Sequence, residues 1–144
     1  MITSRYITDD DYSLLASSLM LDEHHKDTPA SFFYADGTVC SVYEDEKGPI
    51  CFVRGKPIVE KGVGIIQLDI QYLNNDDGRR NLKAMLTGFP ELENKAKDNG
   101  FSGFFFISTV PLLRNFCIKR LGFQDFGEGV LGKLFIDTPK EEMV

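Results

Sequence analysis

The sequence predicts a single α/β domain, on three observations. Its 144 residues suit one hydrophobic core that needs no metal or disulfide staple. Hydrophobic residues make up 42% and charged residues 26%, the balance of a folded chain rather than a disordered one. Segments of strand-like and helix-like hydrophobic period alternate along the chain, with no internal repeat and no Pro/Gly/Ser-rich linker.

Residues 2–7 read as a short first strand. Thr8 then stands as a helix cap with Asp9, Asp10 and Asp11 in the first turn, where carboxylates suit the positive end of the helix dipole. Tyr12, Leu15, Ala16, Leu19 and Met20 recur at helical spacing, and this helix is expected to end near Asp22. Residues 24–27 form a polar loop, Pro29 disfavours helix, and residues 31–34 read as a short helix or turn. Residues 38–43 and 50–54 are strand-like and joined by a turn, an antiparallel hairpin. Residues 55–64 are expected to be a second polar connection.

The signal strengthens from Gly64 onward. Residues 65–72 predict a strand with Ile66, Leu68, Ile70 and Tyr72 on one face and Gln67, Asp69 and Gln71 on the other. After a polar loop, Leu82, Met85, Leu86, Phe89, Leu92 and Ala96 predict a helix that Pro90 kinks or divides in two. Asn99-Gly100 ends it. Residues 101–108 are nearly continuous in apolar side chains, as in a strand buried on both faces. A helix over 111–121, Pro-led and closed by Gly122, precedes a last strand at 130–136. Residues 137–144 are expected to form a flexible charged tail.

The net charge of −6 argues against nucleic acid as a partner, because phosphate binding needs a basic stripe. No apolar run is long enough to span a membrane, and the first residues lack the apolar core of a signal peptide, so a cytoplasmic location is expected. Cys40, Cys51 and Cys117 are scattered, without a C-x-x-C, and read as small buried hydrophobes in a reducing compartment. His24-His25 has no third ligand at helical spacing, so no metal is expected.

The order strand, loop, helix, strand, helix, Leu-Gly-Phe, strand resembles the core of the GNAT acetyltransferase family. Arg120-Leu121-Gly122-Phe123 carries the resemblance most specifically, and residues 96–101 are similar to the usual end of the family's long central helix. It covers roughly residues 65–136, an acyl-CoA-binding-like core, and the N-terminal elements are compatible with it. The resemblance implies an α+β fold: a mixed, mostly antiparallel sheet of about six to seven strands, flanked by helices, its central strands splayed. It implies acetyl-CoA between those strands and direct attack on the thioester by an amine. Backbone groups around Ile70 and Tyr72 would hold the pantetheine, and Gly78, Arg79, Arg80 and Asn81 the pyrophosphate.

The chain departs from the family in two places. The loop motif Gln/Arg-x-x-Gly-x-Gly/Ala corresponds here to Asn75-Asp76-Asp77-Gly78-Arg79-Arg80, with Arg80 where a second Gly or Ala is usual. Arg80 either blocks approach of a phosphate to the backbone or, with Arg79, grips it through charged hydrogen bonds. Asp76 and Asp77 repel phosphate, and the plainer reading is a solvated turn followed by two surface arginines. The tyrosine acid of many members falls at about Ile118, and no Tyr occurs over residues 111–122.

Asp69 is the best-placed candidate base on the central strand, ahead of Glu44 at the hairpin end, and its alternative is a capping or solvated residue. His24 and His25 would lie near the acceptor side as bases, or be solvated in their loop. The acceptor class is an amine on a small molecule or a protein. The alternative function is non-catalytic: a GNAT-fold binding or structural component, such as an assembly or virion protein of a tailed phage, and hence a virion location. A regulatory CoA-binding module is a third class. An exposed strand edge near the C-terminus offers a homo-oligomer or assembly contact.

Overall fold

The computed structural model describes residues 1–135. Seven strands form one sheet: β1 (Thr3–Tyr6), β2 (Val39–Asp45), β3 (Gly48–Glu60), β4 (Val63–Tyr72), β5 (Gly103–Ile107), β6 (Gln124–Gly127) and β7 (Val130–Leu134). Their order is β1-β2-β3-β4-β5-β7-β6, and every neighbouring pair is antiparallel except β4 and β5. Helices α1 (Tyr12–Leu21), α2 (Gly78–Asp98) and α3 (Pro111–Arg120) flank it. This is the mixed, mostly antiparallel α+β architecture expected. The expected tail at 137–144, and Ile136 at the end of the last expected strand, lie outside the described residues.

Alternation along the strands builds two cores. Tyr43, Cys51, Val53 and Leu68 face one way, into a cluster with Ala84, Met85 and Phe89 of α2 and Cys117 of α3. Val42 and Phe52 face the other way, onto Leu15 and Leu19 of α1. Each large apolar side chain so buried stabilises the fold by roughly 1.5–3 kcal/mol relative to exposure. Cys40, Cys51 and Cys117 are all buried and unpaired, and burial pushes each thiol up to about 12.

The acidic run before α1 divides into two uses. Asp9–Asp11 form a 3-10 turn, and Asp11 turns back to accept from the Thr8 N–H at 2.8 Å. Arg5 grips the same carboxylate through both terminal nitrogens at 2.8 Å, which ties β1 to the start of α1.

One expectation needs correction and one strand is added. The connection placed at 55–64 is strand: β3 runs 13 residues to Glu60 and pairs with β4 up to Glu60↔Val63. Its turn is Lys61-Gly62 alone, with φ of +53° and +80°, a two-residue geometry matched to strand twist. The outer half of this hairpin is largely solvated on both faces, so it lacks the alternating hydrophobic signal. Likewise β6 is exposed throughout and carries no alternating signal, although Glu128 and Gly129, at φ +54° and +84°, turn it onto β7.

Of the two forms expected at Pro90, the undivided one is found: the proline lies inside one continuous 21-residue helix. Proline removes a single ladder bond there, while Ala84, Met85, Gly88, Phe89 and Ala96 hold the buried face on both sides of it. Gly88 is required by contact. A Cβ at that position would stand 2.6 Å from Tyr43 Cε1, in a ring that is 3% exposed. Gly88→Ala is therefore expected to destabilise by about 1–3 kcal/mol through overpacking, measured by denaturant unfolding. Adding Tyr43→Val should recover part of that loss.

Candidate functional site

Parallel pairing between β4 and β5 covers only Ile65↔Gly103, Ile66↔Phe104 and Gln67↔Phe105. Beyond it each strand keeps its outer partner. β4 stays on β3 through Tyr72↔Cys51, and β5 stays on β7 through Ile107↔Val130. The edge of β4 that faces β5 is thus left without strand partners over residues 68–72. A cleft of about 900 Å³ opens at this divergence. Ile70 and Tyr72 line one wall, Gly78 and Asn81 of α2 one end, and the segment from Ile107 into α3 the opposite wall. The turn after α1, from Asp22 to His25, closes the remaining side.

Four residues expected to hold the acyl donor, Ile70, Tyr72, Gly78 and Asn81, meet in this cleft. The Gly78 side is open: a Cβ there would touch nothing within 4 Å. Tyr72 is half-buried, its hydroxyl donates to Met85 Sδ, and the burial of its ring raises its phenol well above the ordinary value. It forms part of the cleft wall. Asn81 donates through Nδ2 to the Asn74 carbonyl at 2.9 Å and so shapes the loop before α2.

The loop itself is a self-satisfied turn. Asn74 accepts from the Asp76 N–H at 2.9 Å, and Asp77 caps α2 by accepting from the Arg80 N–H at 3.3 Å. Among the described residues, the Gly78 and Arg79 N–H groups have no acceptor. Arg79 is exposed and does not line the cleft.

Arg80 is engaged elsewhere. Its guanidinium holds Asp45 at 2.8 and 2.6 Å and the Gly48 carbonyl at 2.9 Å, so it fastens the start of α2 to the β2–β3 turn. These hydrogen bonds hold the Asp45 carboxyl well below the ordinary carboxylate range, against the opposing effect of desolvation. Asp69 does not line the cleft either. It pairs at 3.1 Å with Arg54, a guanidinium only 4% exposed that also donates to the Phe32 carbonyl and stacks 3.7 Å from the Phe32 ring. Glu44 is likewise occupied, accepting from Arg5 at 3.1 Å, and Ile118 lies on α3 outside the cleft lining.

A polar cluster at the cleft was not legible beforehand. Gln71 is fully buried and donates from Nε2 to the carbonyls of Ser18 at 3.3 Å and Tyr72 at 2.9 Å. Its Oε1 lies 2.6 Å from His25 Nδ1, which is also 3.3 Å from Asp22 Oδ2. Asp22 is 6% exposed and accepts from the His24 N–H at 2.9 Å. Burial raises its carboxyl, but the His24 N–H, the Asn75 side chain and the His25 charge together bring it below the ordinary range. Asp22, Glu23 and Asp76 line the cleft, while no Lys or Arg among the described residues does. Among the described residues no group of His, Cys, Asp or Glu could hold a metal ion, and no helix is long and apolar enough to cross a membrane.

No protein-family model matches the chain, and no curated protein matches it in sequence. Solved structures do match. The chain is similar to an acetyltransferase of the GNAT family from Staphylococcus aureus Mu50, at 10% identity and TM-score 0.71, over 94% of this chain and 100% of that one. It is similar to a GNAT family acetyltransferase from Brucella melitensis in complex with acetyl-CoA, at 15% identity and TM-score 0.65, over 95% and 90%. It is also similar to the aminoglycoside acetyltransferase AAC(6')-Ib in complex with coenzyme A, at 14% identity and TM-score 0.68, over 94% and 95%. The chain therefore has the fold of the GNAT acetyltransferases, with its splayed strands where the expected acyl-donor residues meet.

Because Arg80 serves Asp45, Arg80→Gly should lower the melting temperature. The Asp45 contribution is present above the carboxylate value of the unfolded chain, near pH 4, and fades as pH falls toward the depressed folded value. Asp45→Asn is expected to melt lower at pH 7 and to lose less on acidification from pH 5 to pH 2 than the parent, measured by thermal denaturation across pH.

Proposed function

We propose that the chain is an N-acyltransferase that moves an acetyl group from acetyl-CoA to the amine of a small cationic acceptor. The observation that carries this reading is the unpaired edge of β4 over residues 68–72, opening into the cleft. When bound, acetyl-CoA supplies an acyl carbon activated as a thioester. Apart from the Tyr72 carbonyl, which Gln71 occupies, the backbone groups on this edge of β4 offer hydrogen bonds to the amides of an extended pantetheine arm, much as a strand would. Gly78 and Arg79 offer two unaccepted N–H groups at the positive end of α2, beside an open glycine face suited to a diphosphate. Positioning donor and acceptor together in one cleft supplies much of the rate in such a reaction.

The acceptor side is acidic. Asp22, Glu23 and Asp76 line the cleft without a balancing Lys or Arg, which favours an ammonium-bearing substrate over a neutral or anionic one. The similar AAC(6')-Ib has been solved with coenzyme A and ribostamycin, an aminoglycoside, which supports a small-molecule amine.

A second reading, a GNAT-fold protein without catalysis, draws on the same loop. Asp77 occupies the Arg80 N–H and the cleft lining lacks cations, both unfavourable for a diphosphate. Melting temperature with millimolar acetyl-CoA or desulfo-CoA separates the two. The acyltransferase reading expects a rise, followed by free thiol release with at least one member of a panel of polyamines, aminoglycosides and lysine peptides. No shift at millimolar ligand, or a shift without thiol release from any amine, would favour the non-catalytic protein.

A further inference from the structure

We propose that His25 is the general base of this cleft, accepting a proton from the acceptor ammonium at Nε2, with Asp22 and Gln71 as its positioning residues. The proposal rests on the acyltransferase reading above. An ammonium has no lone pair, so an amine acceptor must lose a proton before it can attack. Asp69 is bound to Arg54 outside the cleft lining, whereas His25 lines the cleft.

The hydrogen bonds around Gln71 fix the tautomer. Both carbonyls near its side chain, Ser18 and Tyr72, require the amide nitrogen on their side. That leaves Oε1 facing His25 Nδ1 at 2.6 Å. The second neighbour of Nδ1, Asp22 Oδ2 at 3.3 Å, is also an acceptor. Nδ1 therefore carries the proton, and Nε2 keeps the lone pair. Asp22, nearly buried and ionised, stabilises the positive charge the ring gains, as a carboxylate does behind a catalytic imidazole. The His25 side chain is 39% exposed, so it can pass its proton on to solvent. Gln71 also sets the location, because it lies between Ile70 and Tyr72 on the stretch of β4 without a β5 partner.

In the complete reaction His25 takes one ammonium proton, the freed amine forms the C–N bond, the C–S bond breaks, and the second amine proton neutralises the departing sulfur. His25 then releases its proton to water. The other titratable groups lining the cleft are Glu23 and His24 in the same turn, Asp76 before α2, and Tyr72 on β4; β5 and α3 contribute none.

Two measurements test the assignment. In the ligand-free protein, ¹⁵N-edited imidazole spectra, assigned with His24→Gln as reference, should show His25 as the Nδ1–H tautomer. An Nε2–H ring would overturn the proposal without any turnover assay. In steady-state kinetics, His25→Gln should lower kcat by about 10²-fold or more, with the acetyl-CoA melting shift retained and the acidic limb of the pH profile abolished. Asp22→Asn should lower kcat less and move that limb to lower pH, which a purely structural role would not do. If the parent turns over while His25→Gln keeps both kcat and the limb, His25 is not the base, although the acyltransferase reading stands. If the parent neither binds nor turns over acetyl-CoA, that reading falls and this proposal falls with it.

Discussion

β4 and β5 are held together by three paired positions and pulled apart by everything else. Each has a longer antiparallel ladder on its outer edge, to β3 over ten positions and to β7 over five. The β5–β7 contact is close enough that a Cβ at Gly103 would meet the Lys133 carbonyl at 2.6 Å. Strand twist then separates the central pair once the parallel ladder ends. The result is a row of backbone donors and acceptors in the middle of a sheet with no strand to satisfy them. A folded protein leaves such groups to water or a ligand, and the cleft stands where they are.

The polar face of β4 performs a different task from the apolar one. Ile66, Leu68, Ile70 and Tyr72 join the core against α2. Asp69 and Gln71 are the points where distant chain segments are tied down. Arg54 links Asp69 to the turn at Phe32, and Gln71 links the end of α1 to the turn that carries His25. Buried polar groups of this kind are costly if unpaired, so a fully bonded amide at position 71 specifies one arrangement of the α1 turn. The side chain that looks most spare in the sequence fixes the geometry of the site.

What was legible in the sequence follows burial. The apolar face of β4, the buried strand β5, the Pro-led helix α3 and its Leu121-Gly122-Phe123 end were readable because core contact imposes a period on them. The outer half of β3 and all of β6 were not, because solvent on their faces imposes none. At the site, Ile70, Tyr72, Gly78 and Asn81, grouped beforehand by position along the chain, line one cleft. The side-chain partners of Arg80, Asp69 and His25 were hidden for a common reason. Each partner lies 15 to 46 residues away, Asp45, Arg54 and Gln71 respectively, and only the folded sheet brings it near.

The most direct test of the central claim is a backbone amide NMR titration with acetyl-CoA. Ligand along the unpaired edge of β4 should perturb amides over residues 68–72 first, together with Gly78 and Arg79 at the start of α2. Saturating ligand that leaves those amides unmoved, or that shifts only amides outside the cleft, would contradict the account.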